Sequence, residues 1–243
     1  MPGRLRNAPD PIDEIDQTDQ LDRTDGVYMT HSLHREGTTD SLSRDYCIFI
    51  YPARGFSYKG SGPKVRRIAE FFYSEEPSNM IVTSLRRNLY SGVAPEEILD
   101  KLKDGDRIYV NFNSREKVKQ CLIGLKNMKE GVSVVVSGLI DKARELANEV
   151  GLNPHTINLS LGIHGRTDLL PPPDIRQFST MCGHGMVAPN LVRDVIRRIK
   201  KGKLDLWNGS LLLAAPCTCG IYNPHRSEEL LKEVAPLYTI SRW

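Results

Sequence analysis

Short runs of apolar, β-branched and aromatic residues alternate with segments of helical periodicity between residues 46 and 165. The first run, Tyr46–Tyr51, ends at Pro52 and is typical of a buried strand. The run Val132–Val136 has valine at four of its five positions, which is typical of a central strand buried on both faces of a parallel sheet. Strands that alternate with helices imply crossover connections. The sequence therefore predicts an α/β fold, with a mostly parallel sheet and flanking helices.

Composition divides the chain into three parts. Residues 1–45 hold ten acidic residues against five basic ones and are poor in aromatic side chains. Such a segment buries too little apolar area to offset its ordering entropy, so we predict a disordered acidic leader over 1–45. Residues 46–165 form the predicted α/β core domain. Residues 166–243 form a predicted helical and loop-rich C-terminal segment, which carries cysteine–histidine loops and is expected to pack on the core.

Charge and hydropathy exclude several classes of function. Lysine and arginine number 33 against 30 acidic residues, a net charge of +3, which makes no electrostatic case for nucleic acid as a partner. No run approaches the ~18 consecutive apolar residues that a membrane span needs, so no membrane partner is expected. The first thirty residues lack the apolar core of a secretory signal. We therefore expect a cytoplasmic protein that binds a small molecule; the sequence does not indicate its oligomeric state.

Cysteine and histidine residues are concentrated in the C-terminal segment. Cys182 and His184 are each followed by a glycine, directly ahead of a predicted helix. Cys217 and Cys219 follow later, in a turn framed by proline and glycine. Five cysteines in a chain without a secretory signal argue against a disulfide framework. Because glycine-rich turns leave thiols accessible, this pattern predicts a functional site rather than core packing.

Two chemistries fit these residues, and the first is thiolate catalysis. Cys182 would act as a base or nucleophile, with His184 or His225 as its proton partner. The amides and the dipole of the helix that follows would stabilise the negative charge of the thiolate. Cys217 is the second candidate catalytic cysteine.

The stretch Met181–Ala188, which reads Met-Cys-Gly-His-Gly-Met-Val-Ala, resembles the sequence around one catalytic cysteine of the proline racemase and hydroxyproline epimerase family. The resemblance implies an enzyme in which two cysteines flank the α-carbon of the substrate, one removing its proton and the other returning one. It implies Cys182 as one member of this pair and Cys217 as the other. The match covers eight residues, and Thr218–Gly220 departs from the family's second motif.

The second chemistry is metal binding by Cys182, Cys217 and Cys219. Three thiolates could hold one face of a [4Fe-4S] cluster and leave one iron open to substrate. With His184 as a fourth ligand, the same cysteines would instead form a tetrahedral zinc site. The spacing of the cysteines matches no standard run of either kind, so both metals stay open.

Polar residues elsewhere complete the predicted site. The loop after the first strand and the end of the valine-rich strand would meet at the carboxyl edge of a parallel sheet, where open α/β folds bind ligands. Further polar residues follow the last predicted strand and the second cysteine loop. The predicted ligand-binding residues are Arg54, Tyr58, Lys59, Ser61, Ser137, His164, Arg166, Asn223, His225 and Arg226.

These patterns together predict an enzyme with a cysteine-centred active site that acts on a small anionic metabolite. The expected reaction is an isomerase- or lyase-type proton transfer, or one assisted by an iron–sulfur cluster. The alternative is a metal-binding protein, holding iron–sulfur or zinc, or a redox-sensing protein without catalytic activity. The metal content of protein purified without oxygen separates these possibilities.

Overall fold

The computed structural model describes residues 28–29, 35–82, 84–85, 87–90, 92, 94–158 and 162–239. The strands are β1 (Tyr28–Met29), β2 (Glu36–Gly37), β3 (Tyr46–Tyr51), β4 (Asn79–Val82), β5 (Arg87–Asn88), β6 (Ile108–Phe112) and β7 (Ser133–Ser137). The helices are α1 (Thr39–Leu42), α2 (Gly62–Ser74), α3 (Pro95–Asp100), α4 (Arg115–Met128), α5 (Ile140–Glu149), α6 (Pro173–Ser179), α7 (Pro189–Lys200), α8 (Leu206–Ala214) and α9 (Pro224–Leu237). Among these helices, none has the length and apolar character needed to cross a membrane.

Five strands form one sheet in the order β5-β4-β6-β3-β7, and every neighbouring pair is antiparallel. The predicted mostly parallel sheet is therefore wrong. The alternation of strands and helices does correspond to crossover connections. Helix α2 joins β3 to β4, and α4 joins β6 to β7; the two strands of each pair run in the same direction. Each crossover passes over a strand of the other unit, which is the connectivity of the split β-α-β motif. Periodicity along the chain indicates a crossover but not which strand lies beneath it.

The valine-rich run predicted as a central strand lies at the edge of this sheet. In the described part of the chain β7 pairs with β3 alone, and Val134 is exposed. Valine favours any extended, half-covered strand, so its abundance did not distinguish an edge from a centre. The interior strand β3 is buried at five of its six positions, and the interior strand β4 is buried at all four.

The two faces of β3 belong to two different hydrophobic cores. Tyr46, Ile48 and Ile50 pack on one face with residues of α2 and α4, including Phe72 and Val118. Alternate residues of a strand point to opposite faces, so Cys47 and Phe49 lie on the other. There they share a core with α6, α7, α8 and α9. The C-terminal segment therefore covers the sheet face that carries Cys47.

Residues 35–45 are packed into the body of the protein. Arg35 and Asp45 are both 1% exposed and form an ion pair, and the amide of Glu36 donates to Thr180 Oγ1 at 3.0 Å. The predicted acidic leader, 1–45, thus includes a packed segment at its end. The charged composition of this segment indicated a solvated stretch. Composition does not show which charged residues pair with each other and become buried. Residues 1–27 and 30–34 lie outside the described part.

Candidate metal centre

Two loops bring three cysteines together. Cys182 lies between α6 and α7, and Cys217 and Cys219 lie between α8 and α9. One sulfur atom from each cysteine falls within 4.8 Å of the others, and the sulfurs of Cys217 and Cys219 are 3.5 Å apart. Cys182 and Cys217 are buried, and Cys219 is half-buried. Because α8 packs against both α7 and α9, the loops at the ends of these helices meet. This triad could hold a metal ion.

The two loops share one local geometry. The amide of Gly185 donates to the carbonyl of Cys182 at 3.0 Å, and the amide of Gly220 donates to the carbonyl of Cys217 at 3.1 Å. Both glycines are left-handed, with φ of +67° and +63°, a conformation that glycine adopts without steric cost. Each loop is therefore a Cys-x-x-Gly turn that leads into a helix beginning with proline.

Backbone amides next to these glycines favour the charged form of two of the sulfurs. The amides of His184 and Met186 act to lower the pKa of Cys182, and the amide of Ile221 acts to lower the pKa of Cys219. Hydrogen bonds from N–H groups are stronger to a charged acceptor than to a neutral one. The loops are therefore arranged to stabilise sulfur in its thiolate form, which is the form that binds metals.

The three thiols alter one another's pKa. The neighbouring thiols of Cys217 and Cys219, together with the two amides, lower the pKa of Cys182 although burial acts in the opposite direction. The pKa of Cys217 is raised by the neighbouring Cys182 and Cys219 and by burial. The proximity of Cys182 also contributes most to raising the pKa of Cys219. A bound cation would take the place of the remaining thiol protons, so metal binding at this triad would release protons.

A buried ionic network lies beside the triad. Arg35 and Arg226, each 1% exposed, both donate to the carboxylate of Asp45. Burial by itself raises the pKa of Asp45, but the two guanidinium groups outweigh it and the pKa falls below its usual value. Arg35 also donates to the carbonyl of Ile221, and its charge acts on the thiol of Cys217. Sequence reasoning missed Arg35 and Asp45, because both were assigned to the leader.

Asparagine side chains of the sheet hold the second cysteine loop. Asn111 Nδ2 donates to the carbonyl of Ile221 at 2.5 Å and to Cys47 Sγ at 3.1 Å. Asn79 Nδ2 donates to the carbonyl of Tyr222 at 3.1 Å. Both asparagines are fully buried. Sequence reasoning missed both asparagines. The signal that could have identified them is a polar residue inside an apolar strand, because a buried amide requires hydrogen-bond partners.

The other two cysteines are buried neutral thiols. Burial raises the pKa of Cys47 to about 12 and also raises the pKa of Cys121. Cys47 shares the core of the triad, whereas Cys121 packs on the opposite face of the sheet. Cys121 is therefore a matched control for substitutions in the triad.

Predicted residues near the second loop have structural partners. Asn223 Oδ1 accepts from the amide of Arg226 at 3.2 Å and so caps α9, and Arg226 is held by Asp45. His225 packs its ring 5.2 Å from that of Trp207, and burial lowers its pKa. His184 is exposed. In the described ranges, the potential ligand atoms grouped within 4.8 Å come from the three cysteines and from no histidine.

The glycine-rich loop predicted to bind an anion already binds a carboxylate of its own chain. Asp104 accepts from the amides of Gly60 and Gly62, each at 2.7 Å, and these bonds lower its pKa. Ser61 Oγ is buried and accepts from the amide of Gly105 at 2.8 Å. The amides expected to receive a substrate are therefore occupied. The exposed residues of this loop include Arg54, Tyr58 and Lys59.

Antiparallel pairing separates the remaining predicted ligand-binding residues. Ser137 is paired with Cys47 at the start of β3, whereas the glycine-rich loop follows the end of β3. His164 is exposed, and Arg166 forms an exposed ion pair with Asp168 at 2.7 Å. The carboxyl edge at which these residues were expected to meet does not form, because neighbouring strands run in opposite directions.

Among the described residues, the cluster that could bind a metal ion is the three-cysteine centre, with the buried charges beside it. Comparisons of the chain with models of protein families, with curated proteins and with solved structures found no match.

Proposed function

We propose that this protein binds one divalent metal ion, best matched by Zn²⁺, through Cys182, Cys217 and Cys219. The observation that carries the proposal is the convergence of three thiol sulfurs within 4.8 Å. Thiolates select soft metals such as zinc, copper(I) and iron–sulfur clusters. Backbone amides beside Cys182 and Cys219 also favour the thiolate form of these residues.

The spacing of the sulfurs favours a single ion over a cluster. Metal–sulfur bonds of ~2.3 Å in a tetrahedral site place neighbouring sulfurs roughly 3.8 Å apart. In a cubane each thiolate binds a different iron, which places the sulfurs roughly 6 Å apart. Separations of 3.5 Å between Cys217 and Cys219 and of at most 4.8 Å across the triad agree better with the first arrangement.

The number of protein ligands supports an exchangeable fourth position. Structural zinc sites usually have four protein ligands, whereas catalytic sites have three and keep one position for water or substrate. A bound divalent ion would polarise a substrate oxygen or lower the pKa of a bound water. We infer an enzyme in which the cysteines hold the ion, while His184 lies exposed in the first cysteine loop. The small anionic substrate and the isomerase- or lyase-type reaction stay predictions, as does the cytoplasmic location.

Metal-free thiolate catalysis is the second candidate, and the lowered pKa of Cys182 favours it. Two cysteines that work on opposite faces of one carbon must each contact it, which requires sulfurs roughly 7 Å apart at van der Waals distance. The sulfurs of Cys182 and Cys217 are closer than that. This distance supports the metal centre over the thiolate candidate.

Metal analysis of protein purified without oxygen tests the proposal. We expect a colourless wild-type protein with about one zinc per chain, because three thiolates and one exchangeable ligand complete a tetrahedral site. Cys182→Ser, Cys217→Ser and Cys219→Ser should each lose most of the metal. Cys121→Ser should keep it, because that thiol lies on the opposite face of the sheet.

Two results would contradict the proposal. Brown protein that contains iron and acid-labile sulfide would replace the single ion by a cluster. Metal-free wild-type protein that also fails to bind added Zn²⁺ would exclude the metal centre and leave the thiolate candidate.

A further inference from the structure

Five side chains beside the triad carry an uneven set of charges. Arg35 and Arg226 share the carboxylate of Asp45. Arg176, which is half-buried, pairs with the buried Glu36 at 2.7 Å. Three guanidinium groups therefore face two carboxylates, and one positive charge is left over. A buried charge without a counter-charge is costly, so an anion is expected near this network.

Arg35 is the member of the network that reaches the triad. It donates to the carbonyl of Ile221, two residues beyond Cys219. Besides Asp45, the groups that stabilise the positive charge of Arg35 include the thiols of Cys47 and Cys217. The bond to the Ile221 carbonyl places Arg35 against the loop that carries Cys217 and Cys219, and burial favours the neutral form of Cys47. The triad is therefore the expected source of the counter-charge. Arg35 Nε has no hydrogen-bond acceptor among the described residues.

We propose that Arg35 is a positioning residue of the metal centre, whose buried positive charge balances a single negative charge on the centre. This inference rests on the proposed metal site. Three thiolates around a divalent ion carry a net charge of −1 when the fourth ligand is neutral. The resting fourth ligand is then a neutral group such as water, and the centre and Arg35 together are neutral.

Opposite charge changes in the network provide the test. Arg35→Gln removes the balancing charge, whereas Asp45→Asn increases the positive charge beside the centre. The double variant restores the original total charge of the network. Arg35→Lys keeps the positive charge but loses the planar guanidinium group. Arg67→Gln, which breaks an exposed ion pair with Glu130, is the control for loss of an arginine elsewhere.

Full-length, reduced and metal-free protein would be titrated with Co²⁺ against a competing chelator, and the Kd read from the thiolate-to-cobalt charge-transfer band. We expect Arg35→Gln to weaken Co²⁺ binding by about tenfold or more, in the range found for residues that support metal ligands. Asp45→Asn should bind Co²⁺ as tightly as wild type or more tightly. Arg35→Lys and the double variant should stay closer to wild type than Arg35→Gln does, and Arg67→Gln should match wild type.

A purely structural role would weaken binding in Arg35→Gln and Asp45→Asn alike, and that result overturns the inference. Unchanged binding in Arg35→Gln also overturns it. Should Arg35→Gln fail to fold, Arg35→Lys decides, because it keeps the charge: binding close to that of wild type supports charge balance, and binding weakened about tenfold contradicts it. If wild-type protein binds no Co²⁺, the metal centre itself is refuted. If wild-type protein shows the charge-transfer band and the Arg35 variants bind Co²⁺ with the same Kd, this inference alone is refuted.

Discussion

The glycines that close the two cysteine turns have the same backbone conformation but different surroundings. A Cβ placed on Gly220 would lie 2.7 Å from Ile81 Cβ, whereas a Cβ on Gly185 meets no atom within 4 Å. The second turn is therefore fixed by contact with β4 as well as by its own conformation. The first turn depends on its conformation alone. This difference makes the pair a test of how tightly the fold holds each loop.

Alanine at these two glycines should separate backbone strain from steric contact. Gly185→Ala should lower the free energy of unfolding by about 1 kcal/mol, the cost of a left-handed alanine. Gly220→Ala should lower it by about 2–4 kcal/mol, because overpacking against Ile81 is added. It should also reduce zinc content, since Cys219 would be displaced. Urea unfolding and metal analysis measure both effects, and equal losses in the two variants would contradict the expectation.

Helices α8 and α9 place the second cysteine loop, and each begins with a side-chain cap. Asp205 Oδ1 accepts from the amide of Asn208 at 2.9 Å on the exposed start of α8. Asn223 caps α9 and also donates to Asp45 Oδ1 at 3.0 Å. The cap of α9 is therefore also a member of the buried ionic network, and it follows the cysteine loop directly.

Alanine at the two caps should show this difference in the free energy of unfolding. Asp205→Ala should cost about 1 kcal/mol, as is usual for an exposed cap. Asn223→Ala should cost about 2–3 kcal/mol, because a buried hydrogen bond to a charged group is lost together with the cap. Urea denaturation at neutral pH measures both. Similar losses would show that the bond between Asn223 and Asp45 adds little to stability.

In the described part of the chain, a split β-α-β sheet has a helical layer on each face, and residues 35–45 pack against the C-terminal layer. Arg35 and Asp45 come from this early segment, while their partners Ile221 and Arg226 come from the C-terminal layer. Glu36 likewise pairs with Arg176. Long-range ion pairs therefore connect a segment that reads as solvated to the layer that carries the cysteines.

Removal of residues 1–45 should strongly destabilise the protein. Arg226 would remain buried without its carboxylate, and loss of one partner from a buried ion pair costs about 3–5 kcal/mol. Thermal and urea unfolding of the truncated chain against the full-length protein measure the loss. A truncated chain with an unchanged melting temperature would show that the ionic network contributes nothing to stability.

The sequence by itself determined the features that depend on neighbouring residues. These are the apolar strand Tyr46–Tyr51, the helical crossovers, and the cysteines in turns closed by glycine. Periodicity and turn chemistry act over a few residues, so a single sequence shows them directly. Only the tertiary structure decided the strand directions, the buried ion pair of Asp45 with Arg226, and the contact of Asn111 with the second cysteine loop. Each of these joins residues far apart in the chain, and no local pattern specifies which distant partner satisfies a buried charge or amide.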